Sequence, residues 1–177
     1  IQLTVREILE SPKFSHMLNR MQQHSAEKKS IEQIRSGATS GPLSFAQEGL
    51  WIHDYLQSGK SINYNIAYAL HLKGSIDPVI LEKSVNRIIE RQWILRSVFK
   101  REAILSQNVL PMFVELKPEL VTLDWFRDES VANARTPFYL SKNPPLNIRL
   151  FQINSNYFIL YVNHHHIIHD ASSIDIF

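Results

Sequence analysis

Four of the chain's eight histidines, His164, His165, His166 and His169, fall within six positions in the stretch YVNHHHIIHDASS, and Asp170 follows them directly. Imidazole exchanges its proton near neutral pH, so a histidine held at a cavity can take a proton from an attacking nucleophile. The same rings could instead ligate a metal. His165 and His169 share a face if the turn is helical, and His164 and His166 share one if the chain is extended. The third reading is a polar strand end whose rings only satisfy hydrogen bonds. The chain has no cysteine, which removes disulfides, thiolate zinc sites and a cysteine nucleophile, and no distant third ligand stands out.

A strand must deliver this cluster. LNIRLFQINSNYFILYVN, residues 146–163, reads as two strands joined by a tight turn at Asn154-Ser155-Asn156, the second running into the histidines. NYNIAYALHL, residues 63–72, alternates as a further strand, with Tyr64, Ile66, Tyr68, Leu70 and Leu72 expected to face the core. Pro42 to Gln57 is an amphipathic helix with Ser44 as its cap. In SIDPVILEKSVNRIIERQWIL, Asp77 stands as cap before the first-turn Pro78, and Ile80, Leu81, Val85, Ile88 and Ile89 repeat at helical spacing. Residues 97–99, 109–116 and 121–125 read as strands, and residues 128–135 as a short helix. The predicted class is α+β, helices covering a largely antiparallel sheet.

Residues 3–21 carry apolar side chains at helical spacing broken at Ser11-Pro12, and residues 24–41 are a polar linker. The chain's 177 residues, 44% of them apolar, suffice for a buried core. A net charge of +2 without a basic run argues against a nucleic-acid surface. No apolar run reaches the roughly 20 residues that span a bilayer, and the first residues lack the apolar core of a signal peptide, so a cytoplasmic protein without a membrane partner is expected.

Within this frame HHIIHDA, residues 165–171, resembles the H-H-x-x-x-D-G motif of the condensation domains of nonribosomal peptide synthetases, which share a fold with chloramphenicol acetyltransferase. LSFAQEGLWIHDYL, residues 43–56, is similar to that family's S-x-A-Q-x-R-L-W-x-L opening, and RQWILRSVF, residues 91–99, to its R-H-E-x-L-R-T-x-F. TPFYLSKNPPLNIRLFQ, residues 136–152, resembles the P-F-D-L and G-P-L segment before the histidine motif. The resemblance implies a chloramphenicol acetyltransferase-like sandwich of which residues 42–177 are the N-terminal lobe, with a second lobe expected after Phe177. Residues 1–23 are similar to the last helices of a carrier domain, which leaves 24–41 as the linker.

By that resemblance His166 is the catalytic base or positioning residue for amide formation between a carrier-bound acyl or peptidyl thioester and an amine. His165 and Asp170 support the loop, Asp170 through a structural ion pair with Arg96. Upstream and downstream carrier domains are the implied partners, their phosphopantetheine arms bringing the substrates, and the lobe needs no cofactor or metal of its own. Alone, it is expected to be inactive. Gly49, Gln92, Trp93, Tyr139 and Ala171 depart from the family pattern, which keeps open a non-catalytic recruitment domain, or an ester-forming or epimerising member of the fold. Trp51, Tyr55, Trp93 and Phe99 are expected in the core, Ser44 as a cap, Gln47 as a surface or packing residue, and Ser172 and Ser173 as caps.

Overall fold

The turn at Asn154 to Asn156 builds the centre of the fold. In the computed structural model, which describes residues 39–170 and 173, Asn154 Oδ1 accepts from the Asn156 amide at 2.9 Å. The chain reverses there between β6 (Leu146–Asn154) and β7 (Tyr157–His165). β2 (Asn65–Lys73) pairs antiparallel with β7 along its whole length, from Asn65 opposite His165 to Lys73 opposite Tyr157. A two-residue β5 (Glu119–Leu120) runs parallel to β6, giving the order β2-β7-β6-β5. Arg149 on β6 fixes that edge: its guanidinium donates to both carboxylate oxygens of Glu119 at 3.0 and 2.8 Å, and to Glu129. The carrier helices expected over residues 1–23, and nearly all of the linker expected over 24–41, lie outside the described residues.

The period of two along β7 sends Phe158, Leu160, Val162 and His164 to one face, and Ile159, Tyr161, Asn163 and His165 to the other. Both faces are covered, so all eight residues are buried. Against the first lies α2 (Pro78–Arg91), whose Ile89 joins Phe158, Leu160 and Val162 in the larger core. Asp77 caps α2 as expected, accepting from Val79 N at 2.8 Å with Pro78 in the first turn. Against the second lies α3 (Leu123–Ala134), whose Phe126 meets Phe151 and Tyr161 edge to face. The Tyr161 hydroxyl donates to the Ser130 carbonyl at 3.0 Å. α1 (Phe45–Leu56) starts at the predicted Ser44 cap, and a smaller antiparallel sheet orders β1 (Ser40–Pro42), β4 (Leu105–Val109) and β3 (Ser97–Arg101) as β1-β4-β3. The α+β class matches the expectation.

Three local expectations are corrected. Residues 110–116 are not a strand, because the amides of Val114 and Leu116 donate to Asn86 Oδ1 and Glu82 Oε2 on α2, each at 2.8 Å, instead of to a neighbouring strand. Residues 121–125 belong mostly to α3: Thr122 accepts from Trp125 N, and Asp124 sits in the first turn where the helix dipole favours it. Tyr55 and Trp93 are exposed, at 60% and 39%, whereas Trp51 and Phe99 are buried and joined by a bond from Trp51 Nε1 to the Phe99 carbonyl.

Candidate active site

β7 ends at His165 and the chain turns through a single 3-10 turn, His166–Ile168. The turn forms because Ile167 and Ile168 re-enter the larger core, each 3% exposed, which leaves only His166 directed outward. Four hydrogen bonds pin it. His165 N donates to Pro145 O at 3.1 Å and His166 N to Tyr64 O at 2.8 Å. Ile167 N donates to His165 Nδ1 at 3.1 Å, and Gln47 Nε2, from α1, donates to Ile167 O at 3.2 Å. Gln47 therefore does two things, since its Oε1 also accepts from Ser44 N in a capping box. Sequence reasoning gave Gln47 as a surface or packing residue; the S-x-x-Q spacing signalled the cap, but nothing signalled the second bond.

These bonds assign the imidazole protons. His166 Nδ1 lies 2.5 Å from the His169 carbonyl oxygen, which can only accept, so Nδ1 carries the hydrogen, and in the neutral ring Nε2 presents the lone pair. His165 has the opposite tautomer: Nδ1 accepts from an amide, so Nε2 bears the proton. His165 is wholly buried and its ring stands 5.9 Å from that of Tyr64, which in turn meets His53 edge to face. Burial first, and then the neighbouring histidines, lower the His164 and His165 pKa values to about 4. Burial also lowers that of His169, against the opposing pull of Asp170. At neutral pH His164 and His165 are uncharged, and His166 is the exposed member of the cluster.

Asp170 holds the end of the loop in a different way from that expected. Its carboxylate accepts from both the amide and the hydroxyl of Ser173, at 2.9 and 2.6 Å, while its own amide donates to Ser173 Oγ at 3.4 Å. The expected ion pair with Arg96 does not form. Arg96 donates instead to the carbonyls of Leu110 and Glu90, at 3.3 and 3.4 Å, and lies over the Trp93 ring. The Trp93 ring and the carbonyls of Glu90, near the end of α2, and Leu110, just after β4, hold the two guanidinium NH2 groups, while the buried Nε has no partner among the described residues. Among the described residues no three His, Asp or Glu side chains converge to hold a metal, and no helix is long and apolar enough to cross a membrane.

Apart from Trp93, the departures from the family pattern are accommodated locally where they are described. Nothing lies within 4 Å of the place where a Cβ on Gly49 would stand, so an arginine there would project into open space. Gln92 closes α2 as its C-cap, and Tyr139 is half exposed with the Lys142 ammonium 5.2 Å from its ring. Ala171 lies outside the described residues.

The fold is a mixed lobe whose inner strand β7 carries His164 and His165 into a pinned turn, and the comparisons give its family. The condensation-domain model matches residues 38–177, so this chain belongs to the condensation-domain family of nonribosomal peptide synthetases. It is 30% identical over 191 residues to a linear gramicidin synthase of Brevibacillus parabrevis, covering 99% of this chain and 4% of that protein. To the malpinin synthetase of Mortierella alpina it is 30% identical over 188 residues, covering 98% of this chain and 2% of that one. The starter condensation domain of rhizomide synthetase RzmA has the same fold, with a TM-score of 0.69 at 23% identity over 77% of this chain and 36% of the other. The chain thus spans a small part of the curated relatives it matches.

Proposed function

We propose that this chain supplies the catalytic-histidine half of a domain that makes an amide bond from a carrier-bound acyl or peptidyl thioester and an amine. The amine nitrogen attacks the thioester carbonyl carbon, a C–N bond forms, and negative charge develops on the carbonyl oxygen. The C–S bond then breaks and the carrier thiol leaves. His166 Nε2 takes the proton that the nitrogen loses and returns it to the departing sulfur, so the ring ends neutral. Carrier domains deliver both partners on phosphopantetheine arms into a tunnel completed by a second lobe, and the reaction belongs in the cytoplasm with the rest of the synthetase. The observation that carries this reading is the exposed ring of His166, whose Nδ1 is engaged by the His169 carbonyl so that Nε2 is the nitrogen left for chemistry.

The test is His166→Ala in the intact synthetase with loaded carriers. Product formation should fall by about 10²–10⁴-fold, the range for loss of a positioned acid–base group. Unchanged yield would make the domain a platform and not a catalyst. Amine and alcohol acceptors offered in parallel separate amide from ester formation, the amine being the acceptor that should react.

A further inference from the structure

Between α2 and the sheet lies a cavity of about 220 Å³. Val85, Ile88 and Ile89 of α2 form one wall, and Ile148, Leu160 and Val162 of β6 and β7 the other. A cavity of roughly 150 Å³ lined in this way accepts benzene, so this one has room for a ring and a polar substituent. Tyr68 and Leu70 border it on β2 and are 42% and 47% exposed, which leaves a side through which a ligand can enter.

One end is polar. His164 lines it, is 4% exposed, and its Nε2 has no hydrogen-bond partner among the described residues. Its ring meets those of His169 and Tyr68 edge to face, with centroids 4.8 and 6.0 Å away. A buried imidazole nitrogen without a partner is costly unless something completes it. His164 also stands two residues before His166, so the polar end of the cavity adjoins the turn where the reacting atoms are held.

We propose that this cavity receives the side chain of the substrate handled at His166 and selects an apolar group bearing one hydroxyl, of the phenol type, which hydrogen-bonds to His164 Nε2. The proposal rests on the functional reading above. Imidazole accepts from or donates to a hydroxyl equally well, and away from His164, His169 and Tyr68 the walls are aliphatic and have nothing to offer a charged or multiply polar group. Such a site discriminates by leaving a polar atom unpaired when the hydroxyl is missing.

The probes are p-cresol and toluene, titrated calorimetrically into the full-length protein and into two variants. Wild type should bind p-cresol about tenfold more tightly than toluene. His164→Leu should bind both probes equally, because only the hydrogen bond is gone. His166→Ala should keep the full preference, which separates failure of the cavity from failure of the chemistry. If neither probe binds wild type, the space is filled by the rest of the chain and the proposal is wrong; a preference unchanged in His164→Leu would overturn it as well.

Discussion

His166 Nδ1 donates to the carbonyl oxygen of His169 three residues on, while the adjacent His165 accepts an amide at its own Nδ1. Neighbouring imidazoles thus hold opposite tautomers, one displayed and one buried.

This division separates stability from activity. His165→Ala removes a wholly buried ring and strips the Ile167 amide of its acceptor, so it should destabilise the fold by about 2–4 kcal/mol. His166→Ala, at an exposed position, should cost less than about 1 kcal/mol while removing turnover. Urea unfolding of the two variants measures the contrast.

Acid should loosen the fold through the same buried rings. His164 and His165 titrate near 4 when folded against an ordinary 6.5, so the unfolded chain binds more protons between those values. Their contribution is complete above about pH 6.5 and is lost as pH falls through about 4, on the order of 3 kcal/mol for each ring. Unfolding free energies at pH 7, 5.5 and 4.5 should decline in that order. In His164→Leu the decline should be about half as steep.

Gln47 offers a way to cut one bond and keep another. Gln47→Glu retains an acceptor for the Ser44 amide but places an oxygen against the Ile167 carbonyl, so the helix cap survives and the loop anchor does not. Ser44→Ala does the reverse. Condensation rate should drop at least about tenfold in Gln47→Glu with little change in unfolding midpoint, whereas Ser44→Ala should cost about 1 kcal/mol of stability and leave the rate near wild type. Equal rates in both variants would make Gln47 a cap and nothing more.

Gly49 sits in the middle of α1, exposed and with open space around its Cα. Gly49→Ala should therefore stabilise the protein by about 0.5–1 kcal/mol, measured as a raised thermal midpoint.

What the sequence disclosed depended on whether the signal was local. Asp77 before Pro78, Ser44 before α1 and the Asn154 to Asn156 turn each specify their element within four residues, and all three formed where expected. Residues 121–125 misled because their apolar run outweighed Thr122, whose hydroxyl starts a helix. The 110–116 segment forms no strand because the partners of its amides are side chains of a helix some thirty residues earlier, which no local pattern encodes. At the site, the double histidine and its strand were legible. The exposure of His166 alone was not, because it follows from Ile167 and Ile168 burying against residues distant in the chain. Arg96 failed for a related reason: the resemblance implied an ion pair with Asp170, but here Trp93 and two backbone carbonyls hold it.

The hydrogen positions on the histidine rings can be read directly by ¹⁵N NMR of histidine-labelled protein at pH 7. His166 should show a protonated Nδ1 and a bare Nε2, with His165 showing the reverse. A proton on His166 Nε2 would leave no outward base and contradict the account at its root.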